Sequence, residues 1–167
     1  MTRFLSGLLI VVLLSGCGYK LGEIRPTPMR SVRTLAVPTF KNKTYQPRVE
    51  VLMADTLIKA IQQDGTYTVT SDNTADAIVN CTLTNIDRRS VRSVQNNVLA
   101  TAEYELLLRI TYQVTERTTG IVLMNGTVVG RSNFFAAIDL QTSEAQAIPI
   151  AAQNAAEQLT STLSEGW

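Results

Sequence analysis

Alternating apolar and polar residues between positions 102 and 117 form the clearest pattern in the chain. A period of two is typical of a β-strand with one buried and one solvated face. The turn residues Thr118 to Gly120 follow, and residues 121–131 are expected to pair back as the second arm of a hairpin. Gly126 in that arm is a candidate β-bulge. The apolar face of the first arm comprises Tyr104, Leu106, Leu108, Ile110, Tyr112 and Val114.

Two other segments carry apolar residues at helical spacing. The first helix is predicted to begin at Pro47, since proline suits the first helical position, and to end at Gly65. The second is predicted to begin at Pro149, because proline obstructs a helix that is already several turns long, so residues 142–148 form a turn before it. The stripes are Val49, Leu52, Met53, Leu57, Ala60 and Ile61 in the first helix, and Ile150, Ala152, Ala155, Ala156, Leu159 and Leu163 in the second.

Shorter segments complete the predicted sheet. Residues 32–38, 66–71 and 77–87 are expected to be strands, residues 41–46 a polar loop, and residues 88–97 a loop or a strand extension. Each helix has one apolar stripe and the long strand has one polar face. The pattern therefore predicts an α+β fold, a two-layer sandwich with two helices packed on one face of a mixed four- to five-stranded sheet.

The N-terminus carries a separate signal. Arg3 precedes an apolar run from Phe4 to Leu14. That run is too short to cross a bilayer comfortably, which takes about 20 apolar residues, and it has the size of the apolar region of a signal peptide. Residues Leu14 to Cys17 resemble the lipobox of bacterial lipoproteins. The resemblance implies cleavage before Cys17 and covalent acyl chains and diacylglycerol on it, and Gly18 in place of aspartate favours the outer membrane.

These observations divide the chain into three expected parts. Residues 1–16 are a lipoprotein signal peptide, and residues 17–31 are the acylated N-terminus and an extended tether. Residues 32–167 are a single α+β domain. We expect the lipid anchor to contact the membrane and the domain to face the periplasm.

Composition narrows the function classes. The chain has no histidine, two cysteines and a formal net charge of +1. Without the commonest general base and metal ligand, neither a catalytic site nor a metal site nor a cofactor is expected. Nucleic acid is not expected as a partner, because its binding depends on a basic surface. Cys81 shares the apolar side of residues 77–87 with Val79 and Leu83, which predicts a buried core residue rather than a reactive thiol.

The densest cluster of positive charge comprises Arg88, Arg89 and Arg92, and Lys41 and Lys43 carry a weaker version of it. Such residues can guard a sheet edge against aggregation. They can also bind the phosphates of a lipid, since arginine binds phosphate bidentately. Both interpretations stay open, and the second makes these five residues candidate ligands of a phosphate-bearing lipid.

Four stretches together resemble one family. They are "CGYKLG" after the lipobox, "LAVPTFKNKTYQPRVE", "ADAIVNCTLTNI" and a hairpin with "TTGIVL". In element order they resemble the lipopolysaccharide-assembly lipoproteins (LptE-like). The resemblance implies a non-enzymatic outer-membrane lipoprotein that plugs and helps assemble a β-barrel translocon (LptD-like) and helps deliver lipopolysaccharide to the cell surface.

The stretch "TLAVPTFKNKT" also resembles the start of two other kinds of lipoprotein. One kind regulates cell-wall synthases in the periplasm, and the other is the curli-secretion type of subunit. The long hairpin followed by a closing amphipathic helix fits the lipopolysaccharide-assembly family better.

Overall fold

The structure, a computed structural model, describes residues 25–92, 102–136 and 139–166. A short 3₁₀ turn at Thr27–Met29 precedes the sheet. The strands are β1 (Thr34–Ala36), β2 (Lys41–Asn42), β3 (Thr68–Val69), β4 (Ala77–Arg92), β5 (Ala102–Glu116) and β6 (Val122–Ala136), and the helices are α1 (Val49–Asp64) and α2 (Leu140–Glu165).

The sheet is mixed, with the strand order β3-β1-β4-β5-β6. β1 runs parallel to β3 and β4, whereas β4, β5 and β6 pair antiparallel. The predicted α+β sandwich is thus confirmed, with six strands among the described residues instead of four or five. The expected loop at residues 41–46 begins with β2, which pairs with Thr82 and Leu83. A two-residue strand is too short to leave a periodic signal in the sequence.

The core lies between the sheet and the helices. Val79, Leu83, Leu108 and Ile110 on β4 and β5 are at most 1% exposed. From α1 the large side chains of Met53, Leu57 and Ile61 enter this core, whereas α2 contributes the buried alanines Ala147, Ala151, Ala152, Ala155 and Ala156. Those small residues let α2 lie directly on β6.

Helix α1 begins at Val49, two residues after the predicted start at Pro47. Arg48 stands between them with a left-handed backbone (φ 66°), so the helical hydrogen bonds cannot extend back to the proline. The predicted end is confirmed. Gly65 adopts φ 77°, and its N–H donates to the Ile61 carbonyl over 3.1 Å.

The predicted start of helix α2 at Pro149 is wrong, because the helix already begins at Leu140 and Pro149 lies inside it. Asp139 caps the observed start, because its side chain accepts a hydrogen bond from the Gln141 N–H over 3.0 Å. An interior proline costs about 3 kcal/mol. The buried neighbours Ile148 and Ala151 offset that cost by packing on the sheet.

The expected tether (residues 17–31) is in part folded. Arg25 and Met29 are buried, and the Arg25 guanidinium donates to the carbonyls of Val32 (2.7 Å) and Thr66 (2.8 Å). It also lies 5.1 Å from the centre of the Tyr67 ring. The packed part of the chain thus includes residues 25–31. The predicted signal peptide and Cys17 lie outside the described residues.

Gly126 is not a bulge. It pairs in register with Tyr112, and the irregularity between β5 and β6 lies at Val114 and Thr115. A Cβ on Gly126 would lie 2.7 Å from the Tyr112 hydroxyl oxygen. The glycine therefore makes room for the tyrosine ring.

Candidate binding surface

The polar side of β4, β5 and β6, opposite the helices, is here called the open face. The half of this face nearest the start of β4, here called the lower half, carries two rows of neutral residues. The strand register aligns these residues across the three strands. We call these six residues the amide–hydroxyl grid: Asn80, Gln113 and Asn125 in one row, and Thr82, Thr111 and Thr127 in the other. All six are exposed or half-buried, so their polar groups face solvent.

A depression of about 580 Å³ lies over the grid. All six grid residues line it, and Pro38, Thr39 and Lys41 form its wall on the side of β2. Lys41 is the one charged residue among the described residues that line this depression. The depression is therefore neutral apart from a single cation at its rim.

The other half of the open face, nearest the end of β4 and here called the upper half, is charged. Arg89 pairs in register with Glu105, and Arg131 with Leu107. Arg109 lies on the same face, because it is two positions from Leu107 on β5. The Arg131 guanidinium is 4.0 Å from Glu105, a loose surface contact. We call Arg89, Arg109 and Arg131 the upper arginines.

The structure separates the predicted basic cluster. Arg88 points toward the helices, where its Nη1 lies 2.5 Å from Glu144 Oε2 and its guanidinium carbon lies 5.6 Å from the centre of the Tyr104 ring. Arg89, the next residue, is exposed on the open face. Arg88 and Arg89 therefore cannot contact one phosphate group together.

The other predicted ligands are also dispersed. Lys41 lies on the open face, as Arg89 does, but it is in register with Thr82. Roughly 20 Å of strand therefore separates Lys41 from Arg89. Lys43 borders a different pocket of about 280 Å³, together with Tyr45 and Glu144. Arg92 ends β4 in register with Glu103. The five residues do not form one patch.

Arg109 and Arg131 were missed by sequence reasoning. They lie 20 and 42 residues from Arg89 in the chain, so local charge density cannot reveal them. The alternation on β5 and the hairpin register together carry the signal, because they place all three side chains on the polar face.

Cys81 is buried, as predicted. Burial raises the pKa of its thiol to about 12, because the thiolate would lose its hydration. In the described part of the chain, no group of three His, Cys, Asp or Glu side chains could hold a metal ion. Nor is any helix there long and apolar enough to span a membrane.

The fold and this surface define a class, an α+β sandwich that covers one sheet face with helices and presents the other as an open polar surface. The chain belongs to the lipopolysaccharide-assembly family (LptE), whose family model matches residues 32–163. Its members are non-enzymatic lipoproteins associated with the outer membrane and with lipopolysaccharide transport.

Solved structures share the fold at low identity. PelC from Paraburkholderia phytofirmans, a dodecamer, is similar with a TM-score of 0.55 and 11% identity, covering 84% of this chain and 92% of that one. A minor lipoprotein from Acinetobacter baumannii is similar with a TM-score of 0.52 and 17% identity, covering 80% of this chain and 93% of that one. A search of curated protein sequences finds no match.

Proposed function

We propose that this protein plugs the lumen of an outer-membrane β-barrel and helps assemble it into a translocon for lipopolysaccharide. Membership of the lipopolysaccharide-assembly family supports the class of partner. The observation that carries the plug role is the polar open face of β4, β5 and β6, because the lumen of a large outer-membrane barrel is a polar space in which such a face can stay uncovered. The protein acts by binding and not by catalysis.

The lipid anchor is proposed at Cys17. Each buried methylene contributes roughly 0.8 kcal/mol, so several acyl chains hold a protein stably at a membrane where one chain does not. The intact mass of the purified protein tests this part. Cys17→Ser is expected to lose the mass of the lipid and the membrane association together.

Contact with lipopolysaccharide is proposed through cations of the open face. Arg89, Arg109, Arg131 and Lys41 are exposed there, and arginine binds phosphate bidentately. Arg88 is the least suited of the predicted residues, because Glu144 already accepts from its guanidinium. Lys43 and Arg92 lie beyond this group and are predicted to contribute less.

Contact with the barrel is proposed through loops. Tyr45 is fully exposed in the loop between β2 and α1. A backbone hydrogen bond from Thr44 to the Asn42 side chain, 2.8 Å long, holds that loop in shape. Tyrosine is enriched among the residues that dominate the binding energy of protein interfaces. Tyr45→Ala is therefore expected to weaken barrel binding without changing the fold.

Co-purification from detergent-solubilised membranes, with mass spectrometry of the bound proteins, tests the proposed function. A stoichiometric barrel protein of lipopolysaccharide transport is the expected result. A cell-wall synthase as the bound protein would instead support the regulatory alternative and would contradict the plug.

A further inference from the structure

We propose that the amide–hydroxyl grid binds the sugar portion of a glycolipid, with Lys41 facing an anionic substituent of that glycan. The inference rests on the proposed function and identifies which part of the lipopolysaccharide this half of the open face takes. It is independent of the phosphate contacts proposed for the upper arginines.

The grid has the hydrogen-bonding chemistry of a glycan site. Each amide offers both a donor and an acceptor, and each threonine hydroxyl can act as either, which matches the alternation of roles that sugar hydroxyls need. Among the described residues, no protein group hydrogen-bonds to any of the six side chains. Asn42, Asn85, Asn133 and Gln153 show the contrast, because their amides all bond to other side chains.

The geometry of the grid is fixed by the sheet. Adjacent strands lie about 4.8 Å apart, and the two rows lie roughly 6.7 Å apart along each strand. Three paired strands hold these positions before a ligand arrives, which lowers the entropic cost of binding. The depression of about 580 Å³ over the grid falls within the roughly 300–1,000 Å³ range of small-molecule sites.

The shape and charge of the depression favour a glycan over the barrel wall. The inner wall of a barrel curves around its plug, so a surface in contact with it must be convex, whereas the grid lies in a depression. No carboxylate is among the described residues that line the depression, and Lys41 supplies one positive charge. A mostly neutral glycan with an acidic group complements that distribution.

The test uses the full-length acylated protein in detergent micelles and core oligosaccharide released from lipopolysaccharide, which lacks lipid A. Binding is measured by saturation-transfer NMR and by titration. The triple variant Asn80→Ala, Gln113→Ala, Asn125→Ala removes the amides of the grid. A matched triple, Gln62→Ala, Asn73→Ala, Gln146→Ala, removes three exposed amides elsewhere. Gln113→Ala alone serves if the first triple fails to fold.

The expected result is that the grid triple, or Gln113→Ala alone, weakens oligosaccharide binding at least fivefold while the matched triple leaves it unchanged. Lys41→Gln should weaken binding and reduce its dependence on salt. Equal binding by the grid variant and the wild type would overturn the proposal, as would no binding by the wild type. If the grid triple instead loses the barrel partner and keeps the oligosaccharide, the face binds protein and the proposal is wrong. The proposed function fails separately, if no barrel co-purifies with the wild type.

Discussion

Arg88 and Glu144 join β4 to α2 through a hydrogen-bonded ion pair, with Arg88 Nη1 2.5 Å from Glu144 Oε2. The Arg88 guanidinium also lies over the Tyr104 ring, which stacks on Phe134 with a centroid distance of 5.7 Å. Arg88 therefore ties the two layers together at the end of the sheet where α2 begins. Its neighbour Arg89 faces the other way and makes no such link.

Charge changes at these two neighbours should separate stability from ligand binding. Arg88→Glu places a second carboxylate beside Glu144 and is expected to lower the free energy of unfolding by about 1 kcal/mol, since the pair is partly exposed and screened. Arg89→Gln removes the charge without placing a second carboxylate opposite Glu105. It should change stability by less than about 0.5 kcal/mol and should weaken lipopolysaccharide binding several-fold. Urea unfolding and titration with lipopolysaccharide measure the two effects. Equal losses of binding in both variants would show that the strand faces are not distinct in function.

A methyl group at Gly130 should force α2 away from the sheet. Its Cβ would lie 2.0 Å from the Ala151 carbonyl oxygen and 2.7 Å from the Ala155 Cβ. Overpacking of this kind costs typically about 1–3 kcal/mol, and we expect Gly130→Ala at the upper end because backbone must move.

Gly126→Ala is the matched control for this variant, since its Cβ would meet the side chain of Tyr112 and not backbone. It should cost less in urea unfolding. A larger loss of stability in Gly126→Ala than in Gly130→Ala would mean that α2 does not lie so close to β6.

Cys81 should be unreactive in the folded protein and should make stability depend on alkaline pH. Its pKa in the folded state, about 12, exceeds the ordinary value of 9.0. The stabilisation from the buried thiol is therefore complete below pH 9 and is lost progressively as the pH rises toward 12.

Two measurements check Cys81. A bulky thiol reagent should label Cys81 only in denaturant. The free energy of unfolding should fall more steeply above pH 9 for the wild type than for Cys81→Ala. Rapid labelling of Cys81 in the folded protein would contradict its burial.

Asp76 should stabilise the start of β1 at neutral pH. The backbone N–H groups of Arg33 and Thr34 each donate to Asp76 Oδ2 over 2.9 Å, and these bonds hold the pKa of the carboxyl below its ordinary value. A lowered pKa means that the stabilisation is present above the ordinary value and is lost as the pH falls through the pKa of the folded state. Asp76→Asn is expected to cost about 1 kcal/mol at pH 7, after allowance for solvent screening.

The acid range provides the check on Asp76. The difference in free energy of unfolding between wild type and Asp76→Asn should shrink as the pH is lowered from about 5 to 2. Asp72→Asn, at an exposed position, is the control and should change the free energy of unfolding at pH 7 by less than about 0.5 kcal/mol. A difference that stays constant with pH would rule out the charged carboxylate as the cause.

The long-range alternation in the sequence was enough to predict the architecture. The period of two places the alternate residues from Tyr104 to Val114 on one face, and all of them except the half-buried Tyr104 are buried. The preference of glycine for the position after a helix predicts the helix end at Gly65, and the structure confirms it. The start of α2 could not be predicted in this way, because packing against β6 outweighs the cost of Pro149, and packing is not a local property.

The binding surface was predictable only in part. Arg89 and Lys41 were identified from local charge, but the partners of Arg89 on the open face come from β5 and β6. Their alignment depends on the pairing of strands that are distant in the chain, and local charge density carries no information about that pairing. The grid was missed because threonine and amide residues are ordinary on a solvated strand face. Only their alignment across three strands makes them a candidate site.

Site-specific photo-crosslinking in living cells tests the plug most directly. A photoreactive residue is placed at Tyr45 in the β2–α1 loop, at Thr119 in the turn between β5 and β6, or at Ile150 on the exposed side of α2. A protein enclosed in a barrel lumen should crosslink to the same barrel from all three positions. Crosslinks from one side alone, or to a protein other than a barrel, would contradict the account.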